Sequence, residues 1–248
     1  MNEMFYYDLK GSTAVSLGLA SQESREIDHR IVGGNYKEDS LIEDDGKTSQ
    51  RFGVSKSVIR EGIKVLVAKG ILEVNRGSGT RVRRRASWAL LDNDVLAWHL
   101  SVEPKPAFLL QLMDMRRMIE TKAAAWAAMH GTDAKIKAIE AAQMRMKKGE
   151  NSIEEFVLAD AMFHRAILRA ANNEILLSVK GVIFSALLIS IRLTNADPRE
   201  NARSVPFHRS VLSAIKAKDY ALAEKEMTAH LIDTSARLEC AISGLSKQ

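Results

Sequence analysis

The pattern of apolar and polar positions is helical from Ala107 to the C-terminus. Apolar residues recur at intervals of three and four, which predicts six helices, over residues 107–130, 133–148, 152–171, 173–195, 204–216 and 219–243. Glycine, proline, asparagine and aspartate mark the short breaks between them. Helices joined by such short connections predict an all-helical bundle.

The first 85 residues have a different pattern. A helix is predicted over Thr13–Val32, and a short helix near Thr48–Phe52 precedes a longer one over Ser57–Lys69. Ile71–Asn75 and Thr80–Arg84 are predicted as two short strands around a glycine-rich turn. Helix, tight turn, helix and β-hairpin in this order predict a winged helix-turn-helix.

These patterns together predict a mainly α protein of two domains. We expect the winged helix-turn-helix, with its small β-hairpin wing, over residues 1–85 and a C-terminal all-α bundle of six or seven helices over 107–248. Residues 86–106, which contain two prolines, are predicted as a linker. Its apolar residues are expected to attach the linker to the bundle; they are Leu90, Val95, Leu96 and Trp98.

Composition argues against a membrane or secreted protein. No stretch approaches the ~20 apolar residues that a membrane helix needs. The N-terminus lacks the charged-then-apolar pattern of a signal peptide. The chain has one cysteine, Cys240, so an intramolecular disulfide is excluded, and we expect a cytoplasmic protein without membrane contact.

Positive charge is concentrated in one block. Residues 51–85 contain 10 lysines and arginines and 2 acidic residues, a net charge of +8. Residues 1–50 carry −5 and residues 86–248 carry +2, so the block accounts for the chain's net +5. A basic block of this kind is typical of a surface that binds nucleic-acid phosphates.

The basic block also contains the side chains that reading DNA requires. A helix in the major groove needs polar residues at its outward N-terminal end, and here they are Ser55, Lys56, Ser57 and Arg60. The tip of the hairpin combines glycines, which let the backbone approach DNA, with arginines; the candidates are Arg76, Gly77, Gly79 and Arg81. The pattern predicts binding to double-stranded operator DNA.

Three histidines and one aspartate stand out in the helical half. Asp160 and His164 are four residues apart and share one helix face, while His208 and His230 lie on separate predicted helices. One carboxylate and three imidazoles suit a divalent transition metal with open positions for water or ligand. Spacing alone leaves open that these are structural histidines. His99 and His130 are expected at the surface or in the linker.

The stretch FGVSKSVIREGIKVLVAKGILEVNRGSGTRV resembles the winged helix of GntR-family regulators. The resemblance implies DNA contacts by Lys56, Arg60, Gly77 and Gly79. The chain departs from the family pattern at two positions: Lys56 replaces an arginine and cannot form the same two-pronged contact. Gly46 stands where the family has an arginine that reads the operator, so operator sequence or affinity is expected to be unusual.

Residues 109–240 resemble the helical effector domain of the FadR subgroup of this family. The matching segments are LMDMRRMIETKAAAWAA, DAMFHRAILRAANN, HRSVLSAIKAKD and MTAHL. In metal-binding members the ligands are the Asp and three His that correspond to Asp160, His164, His208 and His230. The resemblance implies zinc by default, with nickel or manganese as alternatives.

The same resemblance implies a small acidic effector. Arg116 stands at the arginine of the first motif and is expected to bind a carboxylate. Further effector-binding candidates are Arg192, Asn195 and Ser204. The segment LLDNDVLAWHL, residues 90–100, resembles the junction of sugar-acid regulators in the family, which implies a sugar-acid effector.

The first functional hypothesis is therefore a ligand-controlled repressor that binds a palindromic operator as a homodimer. The alternative is a metal-dependent enzyme with an Asp/His₃ centre, but the sequence offers no added acid, base or nucleophile motif, and the basic block would be unexplained. A non-specific DNA-packaging protein is a third hypothesis, which the large helical domain disfavours. The sequence does not determine the operator, the effector, the metal or the sign of regulation.

Overall fold

The computed structural model describes residues 26–27, 29–31, 33–75, 77–101, 105–149, 151–181, 183, 186–187 and 198–245. Most of the helix predicted over Thr13–Val32 lies outside these residues. The chain divides into two compact units, Met1–Pro104 and Lys105–Gln248. Within the described parts, no helix has the length and apolar character needed to span a bilayer.

Two helices and a hairpin form the centre of the first unit. Helix α1 is Asp45–Phe52, helix α2 is Lys56–Ala68, strand β1 is Leu72–Asn75 and strand β2 is Gly79–Val82. Asp44 caps α1 by accepting hydrogen bonds from the backbone N–H groups of its first turn. Gly53, with φ of +67°, ends α1 in the left-handed conformation that makes the tight turn into α2.

The hairpin is antiparallel, and a third segment extends it. Leu72 pairs with Val82, and Asn75 pairs with Gly79 next to the turn. Leu41 forms an isolated bridge with Arg81, so the segment before α1 lies along the free edge of β2. This order of helix, turn, helix and wing confirms the predicted winged helix-turn-helix.

The predicted linker has regular structure and belongs to the first unit. A 3₁₀ turn at Arg85–Ser87 is followed by helix α3, Asn93–Ser101. Val95 and Trp98 of α3 are buried in the same core as the apolar face of α2 and the hairpin. Two of the residues expected to attach this segment to the bundle, Val95 and Trp98, thus contribute to the core of the first unit, and the role of residues 86–106 as the linker between the domains stays a prediction. An apolar stripe in the sequence predicts that one face of a helix is buried, but it does not show against which core that face packs.

The second unit is the predicted helical bundle. Its helices are α4 (Pro106–His130), α5 (Asp133–Lys148), α6 (Ile153–Ala170), α7 (Glu174–Ser178), α8 (Pro198–Lys216) and α9 (Tyr220–Leu245). The long helix α4 packs on α9 and α6, and α8 packs on α9 and α5. Large buried side chains such as Phe156, Phe163 and Met146 fill the interior.

Two helix boundaries differ from the predictions. Helix α8 begins at Pro198, and Pro206, expected as a break, lies inside it. Proline removes a backbone donor, but α8 has a buried face before and after this residue, which holds the helix together. The helix predicted over 173–195 is interrupted by a turn at Val179, and residues 188–197 lie outside the described residues.

Candidate functional site

Four buried side chains from three helices of the second unit meet at one point. Asp160 and His164 come from α6, His208 from α8 and His230 from α9, and each is at most 5% exposed. One ring nitrogen of each histidine lies within 4.8 Å of one ring nitrogen of the other two. Asp160 Oδ1 is 3.1 Å from Nε2 of His164 and 3.1 Å from Nε2 of His208. The structure thus brings together the four residues that the sequence singled out as metal ligands.

Aromatic packing fixes the orientation of the imidazole rings. The ring of Phe163 makes edge contacts with His164 and His208, with centroid distances of 5.6 Å and 5.0 Å. His208 and His230 lie with ring centroids 4.3 Å apart. These contacts leave the histidines little rotational freedom, so the donor atoms are held in place before any ligand arrives.

The second ring nitrogen of two histidines is held by another oxygen. Nδ1 of His208 is 2.8 Å from the backbone carbonyl of Ser204, which can only accept, so Nδ1 donates and Nε2 faces Asp160. Nδ1 of His164 contacts Oε2 of Glu120, a residue of α4. An oxygen behind each ring is the usual way in which metal-ligating histidines are oriented.

A buried ion pair completes the cluster. Nε of Arg116 donates to Oε1 of Glu120 at 2.7 Å, and both side chains are almost fully buried. Burial opposes ionisation of Glu120, but the charges of Arg116 and His164 outweigh it and lower the pKa of Glu120 to about 2. Sequence reasoning did not identify Glu120. Its only signal is the four-residue spacing from Arg116, which is common on exposed helix faces as well.

The remaining pKa shifts show how the charges balance. Burial disfavours the charged form of His164, yet Glu120 and Asp160 raise its pKa to about 9. Burial likewise opposes ionisation of Asp160, but His208 and His164 hold its pKa well below the usual value. Burial, reinforced by His208 and His164, lowers the pKa of His230 far below its usual value, so this ring is neutral. The positive charge of Arg116 and the raised pKa of His164 thus both favour the ionised form of the buried carboxylates.

The donor set fits a divalent transition metal. Nδ1 of His230, both ring nitrogens of His164 and Oε2 of Glu120 have no well-directed hydrogen bond among the described residues, although two of the contacts have ion-pair distances. Buried polar atoms without a partner are costly. A cation bound by the histidines and Asp160 would satisfy one nitrogen of His164 and could satisfy Nδ1 of His230, and three imidazoles with one carboxylate are suitable ligands.

The predicted effector-binding residues differ in their placement. Arg116 is buried in α4 and held by Glu120. Ser204 is buried in α8, where its hydroxyl donates to the carbonyl of Asn201 and its own carbonyl holds His208. Arg192 and Asn195 lie outside the described residues. His130 is exposed, and His99 is buried in the first unit, within the segment predicted as the linker.

The predicted DNA-reading residues of α2 lie at its N-terminal end. Ser55 is the N-cap, so its hydroxyl accepts a backbone hydrogen bond and contacts the hydroxyl of Ser57 at 2.9 Å. Lys56, Ser57 and Arg60 are exposed. Nε of Arg60 donates to Oδ2 of Asp45 at 2.8 Å. Charge and hydroxyl groups are thus presented on one exposed helix end, as major-groove reading requires.

The two departures from the family pattern lie next to each other. A Cβ added at Gly46 would lie 3.7 Å from Nζ of Lys56. The lysine side chain therefore extends along the surface that the missing arginine side chain would cover. In the wing, Gly77 and Gly79 are exposed with φ of +83° and +88°. Arg81 is half-buried and donates to the carbonyl of Asp39, and Arg76 lies outside the described residues.

Comparison with known proteins identifies both units. Residues 19–82 match the family described as bacterial regulatory proteins of the gntR family, and residues 111–233 match the FCD domain. The galactonate operon transcriptional repressor of Escherichia coli K12 is 28% identical over 212 residues, 85% of this chain and 92% of that protein. The Glc operon transcriptional activator of the same organism is 25% identical over 217 residues, 84% of each chain.

A solved structure supports the same fold. The Listeria monocytogenes protein Lar, which controls expression of the agr system, has a TM-score of 0.65 to this chain. It is 18% identical, and the match covers 89% of this chain and 96% of that chain. Because the matching families and relatives are regulators of transcription, the alternative of a metal-dependent enzyme is set aside. The chain belongs to the GntR family of transcription regulators, with a winged-helix DNA-binding domain followed by an FCD domain.

Proposed function

We propose that this protein is a homodimeric repressor that binds operator DNA in the cytoplasm and releases it when a small carboxylate, of the sugar-acid class, binds beside a divalent metal in the FCD domain. The observation that carries the proposal is the convergence of Asp160, His164, His208 and His230 inside the second unit. Zinc is the default metal, with nickel or manganese as alternatives.

These four residues would hold the metal, and neighbouring groups would orient them. Glu120 faces Nδ1 of His164, and the Ser204 carbonyl accepts from Nδ1 of His208, so each ring can turn its other nitrogen to the ion. A bound metal supplies open coordination positions for a carboxylate or hydroxyl oxygen. An acid with a neighbouring hydroxyl group can occupy two such positions.

Arg116 is the strongest candidate for a second effector contact. Its positive charge contributes to lowering the pKa of His230, so the guanidinium lies close to the cluster. Glu120 holds Nε and fixes the plane of the group. A planar guanidinium held in this way is suited to a carboxylate. Ser204, Arg192 and Asn195 remain proposed contacts.

The sugar-acid class and the sign of regulation are supported by relatives. The galactonate operon repressor matches this chain over most of its length. The Glc operon relative is named an activator, so the sign requires its own measurement. A homodimer is favoured because one α2 contacts only a few base pairs, and a two-fold pair doubles the contacts on a palindromic operator.

A two-step experiment tests the proposal. Metal-loaded protein is screened by thermal shift against sugar acids and other small carboxylates. Each hit is then added to gel shifts with DNA from upstream of the protein's own gene, and light scattering gives the oligomeric state. We expect a hit to raise the melting temperature and release the DNA.

Two matched variants test whether the release of DNA by the hit depends on the proposed metal site. His208→Ala is expected to retain DNA binding but to lose the response to the hit. His130→Ala, at an exposed histidine of the same unit, is expected to behave as the wild type. An unchanged response in His208→Ala would contradict the proposed effector site.

A further inference from the structure

An acidic segment lies against the DNA-reading surface of the first unit. Residues 38–45 contain five carboxylates in eight positions, at Glu38, Asp39, Glu43, Asp44 and Asp45. We call this segment the acidic strap. It immediately precedes and begins α1, and the basic block of residues 51–85 follows it.

Three carboxylates of the strap form ion pairs with three arginines of the basic block. Asp45 Oδ2 is 2.8 Å from Nε of Arg60. Asp39 Oδ2 is 3.0 Å from Nε of Arg84. The third pair joins Glu43 to Arg51. The arginine side chains are 66%, 75% and 42% exposed, respectively, so DNA phosphates can reach all three of them.

Backbone hydrogen bonds hold the strap in place. The N–H of Asp39 donates to the carbonyl of Val82, and the N–H of Ile42 donates to that of Thr80, both at 2.9 Å. The N–H of Val82 donates back to the carbonyl of Ser40 at 2.9 Å. Because the strap is bonded to the edge of the wing, its carboxylates stay beside the arginines even when an ion pair opens.

We propose that the acidic strap is an intramolecular competitor for DNA phosphates, which weakens the electrostatic, sequence-independent part of DNA binding. Non-specific affinity comes from neutralising phosphates with release of counterions. An arginine already paired with a carboxylate has less to gain from a phosphate, and the nearby carboxylate repels the backbone. Opening an exposed ion pair lowers the affinity for DNA by about fivefold or less. Base contacts by Arg60 in the correct operator are worth more than this loss.

The inference rests on the DNA-binding role of the first unit and deepens it. Its failure is distinct from that of the proposed function. Wild-type protein without any sequence preference would contradict the regulator, whereas affinity for scrambled DNA that does not depend on the acidic strap would contradict only the competitor.

The test removes the three carboxylates without changing side-chain shape. The variant Asp39→Asn/Glu43→Gln/Asp45→Asn is compared with the wild type and with Glu140→Gln. The control breaks an exposed ion pair of similar geometry, Lys216–Glu140 at 2.8 Å, in the second unit. Two probes are used: the duplex most enriched from a random 30-bp pool by wild-type protein, and a scrambled duplex of the same composition.

Fluorescence anisotropy gives the dissociation constants of both duplexes across a potassium chloride series. Each freed arginine adds roughly 0.9 to the slope of log K against log salt, so the variant slope on scrambled DNA should be steeper by about 2 to 3. At low salt the triple variant should also bind the scrambled duplex about fivefold more tightly than the wild type does, because the arginines no longer have to break an ion pair to contact phosphate. A slope and a dissociation constant on scrambled DNA equal to those of the wild type and of Glu140→Gln would overturn the proposal.

Single variants keep the test valid if the triple variant folds poorly. Asp39 has φ of +62°, a left-handed conformation that asparagine also tolerates. Asp39→Asn and Asp45→Asn should each steepen the slope by about 1. A merely structural role of the strap would weaken binding to both duplexes and leave the slope unchanged, which would also overturn the proposal.

Discussion

The two units place the same kinds of charged residue in opposite environments. In the first unit the Asp45–Arg60 pair is exposed, with 31% and 66% of the side chains accessible. In the second unit the Arg116–Glu120 pair is 1% and 2% accessible. An exposed pair is weak and opens for a partner, whereas a buried pair must stay satisfied because an unpaired buried charge is costly. The ion pair that we propose exchanges partners, Asp45–Arg60, is therefore exposed to solvent, whereas the ion pair next to the candidate metal site, Arg116–Glu120, is buried.

The largest expected effect comes from breaking the buried network. Glu120→Ala removes the partner of both Arg116 and His164, and should lower the free energy of unfolding of the second unit by about 3–5 kcal/mol. Chemical denaturation followed by Trp126 fluorescence measures it. Glu140→Ala, which breaks an exposed pair of the same unit, should change stability by less than about 1 kcal/mol. Equal losses for the two variants would contradict the comparison.

A buried histidine in the first unit, His99, is expected to make the stability of that unit depend on pH. Nδ1 of His99 donates to the Val95 carbonyl at 2.8 Å, and Nε2 lies 3.0 Å from Nη1 of Arg85. Burial, with the Arg85 charge, lowers the pKa of His99 to about 4. In the unfolded chain the pKa of His99 is near 6.5, so at lower pH the unfolded chain binds a proton that the folded protein excludes. The contribution of the neutral His99 to stability is therefore complete above pH 6.5 and is lost as the pH falls toward 4.

The loss on acidification should reach up to roughly 3 kcal/mol. His99→Gln should remove most of the pH dependence of unfolding of the first unit between pH 6.5 and 4. Denaturation at several pH values, followed by the fluorescence of Trp88, which contacts His99, provides the measurement. A wild-type profile that is flat over this range would show that His99 is not held in its neutral form.

A smaller effect is expected from the recognition helix. Arg60→Ala should weaken binding to the selected operator by about 10- to 100-fold, since a good base contact is worth ~1–3 kcal/mol. The fold should be intact because the side chain is mostly exposed. Anisotropy titration and circular dichroism together test this. Operator affinity equal to that of the wild type would remove Arg60 from the reading surface.

The smallest effect concerns the stability of the exposed pair. Asp45→Asn should change the free energy of unfolding by less than about 1 kcal/mol, because the pair is solvated and only a helix-dipole contribution is lost. Denaturant titration gives the value. A loss as large as that of Glu120→Ala would mean that the strap is structural.

The fold was predictable where local signals act. Ser55 caps α2 and Gly53 makes the turn before it, so the helix-turn-helix follows from capping and turn chemistry. Pro206 misled the prediction because packing of the helix on both sides outweighs a single missing backbone donor. Apolar residues such as Trp98 predicted burial, but the choice of core depends on the tertiary structure.

The site was predictable only in part. Asp160 and His164 share a helix face by spacing, but the approach of His208 and His230 depends on how three helices pack, and only the family resemblance indicated it. Glu120 could not be identified because an i, i+4 ion pair looks the same in sequence whether it is buried or exposed.

The central claim is that the buried histidines hold a metal. Elemental analysis of purified wild-type protein and of His208→Ala, after dialysis against zinc and then metal-free buffer, tests it most directly. The account predicts about one metal atom per chain in the wild type and less than about a tenth of an atom in the variant, because removal of one ligand opens a site of only four. Equal metal content in the two proteins, or none in the wild type, would contradict it.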